Sequence, residues 1–447
     1  MRIGRRGSFV WFAAPVLVVL LGSVPARAQL GLAAGGVGPI NRAMGGAAVA
    51  APIDAAGSLF WNPATISGLG RSEMLFGTEL LIPRTTVSSR VGANTFGPGL
   101  PPVPLAGTTG GNNGVFPLPS FGLVYQPKES AWTYGLGFFE LGAFGVNYPS
   151  RLTNPVLMPQ APFGRGVGSI YSQYQIFQVA PTAAYRLTDT VSLGFAANVD
   201  LASLSADPAL FGPPTLLVTP QGPAPVYASA THGRYRWGGG FHAGIYYAPD
   251  SPWRFGAAVR SPQWFETYTF NSVSALGRPT TPKFNLDFPL VASVGTSYTG
   301  FDRLLIATDF RFLDYRDTNG FRHSGFDARG ALRGLGWQNV FALAVGAQYM
   351  WTDSLALRAG YTFSLNPEGN AVTTFNLASP TIVQHSLSLG ASYDVTTALR
   401  LSIAYVHYFQ NAISGPLVEP FVGPVPGSSV RSAATADSVI LGASVLF

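Results

Sequence analysis

The side chains best suited to catalysis are few in this sequence and lie far apart. The chain has no cysteine, which removes thiol catalysis and thiolate metal sites, and it has five histidines. No two histidines have the spacing of a helical metal site, and the motifs HExxH, GxSxG and GxxxxGK[ST] do not occur. The sequence therefore predicts no catalytic, metal or cofactor site. A Ser/His hydrolase with His385 or His407 as its base stays open as an alternative.

Arginines are the second group of reactive side chains. Five of them occupy the small or polar phase of runs whose other phase is apolar, and a guanidinium in an apolar conduit can hold a carboxylate through two hydrogen bonds. We expect these arginines to be candidate substrate contacts, and the alternative is that they pair with acids or with backbone carbonyls. They are Arg234, Arg236, Arg260, Arg311 and Arg358.

The elements that position these arginines alternate with a period of two. In residues 355–365 the odd positions are Leu, Leu, Ala, Tyr, Phe and Leu, and the even positions are Ala, Arg, Gly, Thr and Ser. This pattern predicts strands with one lipid-facing and one lumen-facing surface. The fourteen runs are residues 72–82, 119–126, 132–140, 171–186, 191–204, 230–248, 253–265, 286–298, 302–315, 337–350, 354–365, 382–394, 399–410 and 437–447.

Composition and connection lengths give the fold class. Charged residues are only 11% and aromatic residues 13% of the chain. After residue 28 no apolar run approaches the roughly 20 residues of a membrane helix. The remaining way to cross a bilayer with every backbone group paired is a closed sheet. We therefore predict an all-β fold, a transmembrane antiparallel β-barrel of about fourteen strands, with short periplasmic turns and long outer loops.

The first 28 residues read as a signal peptide. Arg2, Arg5 and Arg6 form a basic start, residues 9–21 are apolar, and residues 26–28 read Ala-Arg-Ala, as cleavage sites do. Removing the four arginines of this segment lowers the net charge from +6 to +2. The basic character of the whole chain is thus partly a property of the signal peptide, and we expect no nucleic-acid partner.

Residues 29–70 are expected to form a plug inside the barrel, which would then comprise residues 71–447. The stretch is apolar but is interrupted by Gly and Pro, so it forms no long regular element. An irregular apolar segment is unfavourable in water, and in lipid its backbone polar groups would stay unpaired. Packing inside a protein cavity avoids both costs. Its characteristic residues are Gly45, Gly46, Asp54, Trp61, Asn62, Pro63 and Ala64.

This stretch carries a family resemblance. The segments RAMGGA at 42–47, DAA at 54–56 and WNPA at 61–64 resemble the N-terminal hatch of FadL/TodX-type outer-membrane transporters of long-chain fatty acids and hydrocarbons. The resemblance implies a hatch seated by the Asn62-Pro63 turn. It also implies a kinked third strand with a lateral opening, which Gly135, Gly137, Gly142 and Gly145 would permit.

The outer loops carry unusually apolar stretches. Patches of this kind usually mark a binding surface, and the resemblance implies a groove that captures hydrophobic ligand there. The candidate contacts are Leu210, Phe211, Trp264, Phe265 and Phe270.

The last strand ends on an apolar face that finishes at Phe447. A terminal aromatic residue resembles the signal read by the outer-membrane barrel assembly machinery, which we expect as a partner. The whole pattern predicts a monomeric outer-membrane protein, in contact with outer-membrane lipid, that takes up hydrophobic small molecules passively, above all long-chain fatty acids or related hydrocarbons. A general porin for small polar solutes and an outer-membrane lipid hydrolase are the alternatives.

Overall fold

A closed antiparallel barrel forms the body of the protein. The computed structural model describes residues 30–97, 99–220 and 222–447, so the predicted signal peptide lies outside the described residues. Within them, fourteen barrel strands each pair with the next along the chain. The strands are β1 Glu73–Val91, β2 Phe116–Tyr125, β3 Trp132–Tyr148, β4 Ile170–Arg186, β5 Val191–Asp207, β6 Arg236–Tyr247, β7 Trp253–Arg260, β8 Val291–Phe301, β9 Leu304–Leu313, β10 Val340–Met350, β11 Leu355–Ser364, β12 His385–Asp394, β13 Leu399–Gly415 and β14 Ser429–Leu446.

The first and last strands close the barrel. Glu73 lies opposite Leu446 at one end of the β1–β14 ladder, and Arg90 lies opposite Ser429 at the other. Closure removes the two free edges that an open sheet would expose. The predicted strand number and barrel class are confirmed.

Connections alternate in length around the barrel, as predicted. Six turns of two to six residues join the strands at one end, from residues 126–131 to residues 395–398. Longer loops join them at the other end. Because β1 begins on the short-turn side, the segment that precedes it joins the wall on that side.

The outer face of the wall is apolar. In β11 the side chains of Ala356, Arg358 and Thr362 are buried on the inside, while Leu357 is exposed. Near the short turns, aromatic rings pack in pairs, such as Trp132 with Tyr185, whose ring centroids are 4.8 Å apart. Such aromatic girdles lie at membrane interfaces.

Strand ends on the long-loop side differ from the prediction. β1 continues to Val91 instead of ending at residue 82, and β14 begins at Ser429 instead of 437. In residues 85–91, TTVSSRV, one face is polar and the other mixes Thr and Ser with two Val, so the alternation of a lipid-facing and a lumen-facing surface gives no clear signal there. The run predicted for 253–265 was also wrong at its end. β7 stops at Arg260 because Pro262 has no N–H for the ladder.

Strand β3 bends in its middle. It pairs with β2 only as far as the Ser120–Phe139 pair. Its register with β4 shifts between Glu140 and Gly142, which leaves Leu141 as an extra residue. Beyond this bulge, residues 32–34 lie beside β3 on the inside of the barrel. The Ala34 N–H donates to Leu141 O over 3.0 Å, and the Ala143 N–H donates to Leu32 O over 3.2 Å.

Residues 30–70 fill the barrel lumen, and we call them the inner segment. It contains two short helices, α1 Gly38–Ala43 and α2 Ala55–Trp61, followed by a 3-10 turn at Pro63–Gly68. Its apolar side chains, including Ile40, Phe60 and Trp61, join the main hydrophobic core. Among the described residues no helix combines the length and apolar character needed to cross a membrane.

Candidate functional site

Side chains of the inner segment cap helix α2 and the 3-10 turn that follows it. Asp54 accepts a hydrogen bond of 2.8 Å from the Gly57 N–H at the start of α2. Asn62 accepts one of 3.0 Å from the Ala64 N–H at the start of the 3-10 turn, where Pro63 occupies the first position. Both are good N-cap residue types. The sequence motif at 61–64 is therefore a local turn whose geometry Asn62 fixes.

Asn62 also ties that turn to the wall. Its amide nitrogen donates to Val49 O over 2.8 Å and to Ile245 O of β6 over 3.0 Å. The side chain is fully buried, so these bonds satisfy groups that water cannot reach. One residue thus joins two parts of the inner segment to the barrel.

Positions 45 and 46 require glycine because of their backbone conformation and the atoms packed around them. Their φ angles are +64° and +80°, a region that residues with a Cβ rarely occupy. A Cβ on Gly45 would lie 2.9 Å from the Tyr361 backbone nitrogen, and one on Gly46 would meet Gly35 O. The chain passes here between the wall and itself with no room for a side chain.

A buried ion pair on β9 holds the same region. Asp309 accepts hydrogen bonds from the Ala48 and Val49 N–H groups over 2.8 and 3.1 Å. Arg311 donates to Gly46 O over 2.6 Å and to Asp309 over 2.8 Å. The Arg311 guanidinium also lies 3.5 Å from the ring centroid of Trp61. This arginine, predicted as a substrate contact, is engaged with the inner segment.

Arg260 and Arg358 are also engaged. Arg260 donates to Phe60 O over 2.5 Å and lies 4.7 Å from the centroid of that ring. Arg358 donates to Gln348 over 2.7 Å and to the Ser392 hydroxyl over 2.6 Å. For these two residues, the structure shows partners within the protein.

The other two predicted arginines lie on the long-loop side. Arg236 donates to Thr269 O over 3.2 Å, and Arg234 is exposed. Of the described residues that line the three interior cavities below, none is one of the five predicted arginines. Contact of any of them with a ligand stays a prediction.

Arg42 of α1 makes a bidentate, buried ion pair in the lumen. Its Nε and one terminal nitrogen donate to the two carboxylate oxygens of Glu79 over 2.9 and 2.8 Å, and it also contacts the Tyr408 hydroxyl. Burial alone lowers the pKa of Arg42, but Glu79 and Tyr408 together raise it above its usual value. Arg42 is therefore permanently charged, and its charge is balanced by Glu79.

Asp54 lies near charged groups at the short-turn end. Burial, followed by the neighbouring charge of Glu73, raises the pKa of Asp54 to about 7. Arg71 donates to Ile53 O over 2.8 Å and to Glu73 over 2.6 Å. The base of the inner segment is thus joined to β1 by charged hydrogen bonds.

An outer cavity lies beneath the long loops. It encloses about 1450 Å³, counting the solvent at its mouth. Leu210 and Phe211, two of the predicted apolar contacts, line it, and the Phe211 ring lies 5.1 Å from that of Phe284. Arg165 and Glu419 supply its charges, and Arg165 donates to the Thr219 hydroxyl over 2.8 Å.

The remaining predicted loop contacts have different environments. Phe270 is buried, with its ring 5.5 Å from that of Phe211, so it supports the cavity wall. Phe265 packs against the main core. Trp264 is 54% exposed. Arg165, which the sequence reasoning missed, lies in a loop without alternation, so no phase argument could have assigned it to the cavity.

Two smaller cavities continue from the outer one. The middle cavity, of about 700 Å³, shares Phe144 with the outer cavity. It lies where β2 and β3 are no longer paired, between Phe116 on one side and Ala143 and Gly145 on the other. We call this gap in the hydrogen-bond ladder between β2 and β3 the wall opening. Gly142 and Gly145 lie in the bent half of β3, whereas Gly135 and Gly137 lie in its regularly paired half.

The inner cavity reaches the inner segment. It has a volume of about 790 Å³ and shares Leu81, Leu118, Ala143 and Tyr408 with the middle cavity. Its charged lining residues are Arg42, Glu79 and Glu140. The three cavities form a series from the outer loops to the wall opening and the start of the inner segment.

The family follows from a comparison of the whole chain. A family model described as outer membrane protein transport protein (OMPP1/FadL/TodX) matches residues 18–447. The chain belongs to this family. Membership and the closed barrel of fourteen strands place it in the outer membrane. The family resemblance read from the sequence is confirmed.

Solved structures show the same fold. The Pseudomonas putida toluene transporter TodX is 16% identical, with a TM-score of 0.65 over 92% of this chain and 99% of that chain. A Pseudomonas aeruginosa FadL homologue is 16% identical, with a TM-score of 0.69 over 93% and 99%. The Ralstonia pickettii toluene transporter TbuX is 19% identical, with a TM-score of 0.59 over 91% and 98%. No curated protein sequence matches the chain significantly.

The histidines lie outside this series of cavities. His407 is on β13, and its Nδ1 lies 2.8 Å from Asp437, which also accepts hydrogen bonds from Tyr405 and Arg84 over 2.5 and 2.6 Å. The group is a partly exposed polar network. Among the described residues no cluster of His, Cys, Asp and Glu could hold a metal ion.

Proposed function

We propose that this protein takes up hydrophobic compounds passively across the outer membrane, with long-chain fatty acids or related hydrocarbons as its main ligands. The observation that carries the proposal is the series of three mainly apolar cavities, each sharing lining residues with the next. A ligand would enter the outer cavity, where apolar loop residues desolvate it. It would then pass Phe144 and leave through the wall opening beside the bent half of β3.

The inner segment would act as the hatch in this route. Its hydrogen bonds to β6 and β9 and its buried apolar side chains support this role, because a segment held in this way would block an aqueous path along the barrel axis. A general porin would need such a path. For a fatty acid, Arg165 would hold the carboxylate in the outer cavity, because it is the guanidinium that lines that cavity.

Assembly would depend on the last residue. Phe447 is 64% exposed, and its N–H donates to Ser72 O over 3.1 Å at the short-turn end. An exposed terminal ring on the closing strand supports a role as the signal for the barrel assembly machinery. We further propose that the assembled barrel acts as a monomer.

Uptake by cells tests the route. Ala143 lines both the middle and the inner cavity, so Ala143→Phe should fill the passage and lower uptake of radiolabelled oleate and hexadecane several-fold. Ala197→Phe is the matched control, because Ala197 is exposed on the outer face of β5. Host cells lacking their own fatty-acid transporter provide the background.

Two results would contradict the proposal. One is equal uptake by the two variants at equal amounts of folded barrel. The other is wild-type uptake no higher than that of cells without the protein.

A further inference from the structure

Glu140 is a buried carboxyl group without a hydrogen bond. It is 4% exposed, and neither of its carboxylate oxygens accepts a hydrogen bond from the described residues. Gln175 on β4 is near enough to interact with it, yet does not satisfy those oxygens. A buried acceptor left without a donor is costly, since desolvation of the group is not offset. Such a group at a cavity is suited to receive a donor from a ligand.

Glu140 lies where its side chain can contact a ligand. It lines the inner cavity and directly precedes the β3 bulge at Leu141. Ser120, Gly142 and Ala143 line the same cavity around it. A ligand that continues from the middle cavity into the inner cavity therefore meets this carboxyl group.

The charge of the inner cavity disfavours anions. Its lining has two carboxyl groups, Glu79 and Glu140, and one guanidinium, Arg42. Arg42 is already bonded to both oxygens of Glu79. A ligand carboxylate would meet the second carboxyl group and no free cation, and burying an anion without a partner is costly. A neutral head group that carries an O–H has no such penalty.

We propose that Glu140 is a specificity-determining residue that accepts a hydrogen bond from the hydroxyl head of a neutral ligand, as in a fatty alcohol, a phenol or a protonated fatty acid. The proposal rests on the proposed function, since it assigns the head group of the transported ligand. A hydrogen bond to a buried acceptor that otherwise has no partner contributes enough for a discrimination of about tenfold. Ligands without a donor would pass the cavity but bind it less tightly.

Equilibrium binding of two matched probes tests the proposal. Tritiated 1-dodecanol has the donor, and tritiated dodecyl methyl ether lacks it while keeping the chain and the oxygen. Both are titrated against the full-length protein in lipid nanodiscs, with binding to empty nanodiscs subtracted. We expect the wild-type protein to bind the alcohol about tenfold more tightly than the ether, and Glu140→Leu to bring this ratio to about one.

Two further variants locate the effect. Glu140→Gln keeps the shape of the side chain and replaces one acceptor oxygen with an N–H donor, so it should lower the ratio even if Glu140→Leu does not fold. Asp189→Leu is the control, because Asp189 is exposed in the short turn between β4 and β5 and should leave the ratio unchanged. A wild-type ratio near one, a ratio that survives both Glu140 variants, or a ratio that is lost in Asp189→Leu would overturn the proposal. Failure of the proposed function would look different, since neither probe would then bind saturably.

Discussion

Asp309 and Arg311 are fully buried on β9, and each bonds the backbone of the inner segment as well as the other. Buried ion pairs are weak evidence for stability as such, because desolvation offsets their attraction. Here the pair has a positional effect. Its charged hydrogen bonds reach Gly46, Ala48 and Val49, which fixes one loop of the inner segment against one strand.

Removing one partner of this pair should loosen the inner segment. Arg311→Met leaves Asp309 buried without its cation, which costs roughly 3–5 kcal/mol. We expect the temperature at which the folded band is lost on a denaturing gel to fall. The double variant Arg311→Met/Asp309→Asn should recover part of that loss.

An exposed pair serves as the control. Arg303 and Asp353 are 3.0 Å apart with side chains 43% and 96% exposed, and such pairs contribute little. Arg303→Met should therefore leave the transition unchanged. An equal effect of the two arginine variants would contradict this account of the Asp309–Arg311 pair.

We expect titration of Asp54 to make the stability of the packed inner segment depend on pH. Its pKa in the folded protein is about 7, above the unfolded value near 3.9. The folded state therefore binds more protons between these values, and stability falls as pH rises through that window. Above about pH 7 the buried carboxylate is charged, and the full penalty applies.

Amide hydrogen exchange of α2 measures this effect. After correction for the intrinsic pH dependence, protection of residues 55–61 should decrease between pH 5 and 8. Asp54→Asn can still cap the helix but does not titrate, so this variant should lose that slope. The same slope in both proteins would assign the pH dependence to other groups.

At the scale of elements, β3 is where the wall departs from regular pairing. The bulge at Leu141 turns its outer half away from β2 and towards residues Leu32 and Ala34. Bulges bend a strand and end its pairing on one side. The end of β2–β3 pairing and the contact of residues 32–34 with β3 therefore both occur at this bulge.

Gly142 allows the close approach at this bulge. A Cβ there would lie 2.6 Å from Leu32 O, so Gly142→Ala should push the start of the inner segment off β3. We expect faster amide exchange at Ala34 and Ala143, whose N–H groups make the two bridging bonds. Gly110→Ala is the control, because a Cβ on Gly110 meets nothing within 4 Å. Unchanged exchange in Gly142→Ala would show that the bridge does not depend on this contact.

Much of the element level was predictable. The number of strands and the inward or outward direction of their side chains follow from the period-two pattern, because one face of the wall contacts lipid and the other faces the lumen. Strand β11 shows this pattern clearly. The alternation of short and long loops follows from the spacing of these runs. The β3 bulge did not follow, because four glycines between 135 and 145 were equal candidates. Only the structure distinguishes Gly142, by its contact with Leu32.

The site was less predictable than the fold. Phase arguments assign an arginine to the lumen but not to a partner, so they could not tell that Arg260 and Arg311 bond carbonyls of the inner segment. Glu140 was missed because it sits at the bulge, where phase breaks down. Arg42 belongs to the RAMGGA motif at 42–47. Its ion pair with Glu79 could not be predicted, because it depends on contacts between distant parts of the chain.

At the scale of the whole molecule, the closed wall and the segment inside it act together. The wall is closed by the β1–β14 ladder, and the lumen is filled by a segment whose polar groups bond the wall. In the proposed function, the ligand then passes sideways through mainly apolar cavities and not along the barrel axis. Ions and hydrophobic molecules should therefore be treated very differently by the same barrel.

Ion conductance in planar bilayers tests that central claim most directly. The intact protein should conduct poorly, because the inner segment fills the lumen. A variant lacking residues 29–70, shown to be folded by its heat-modifiable mobility, should give large and steady conductance steps. Large, steady, porin-like conductance by the intact protein would contradict the account and favour an aqueous channel for polar solutes.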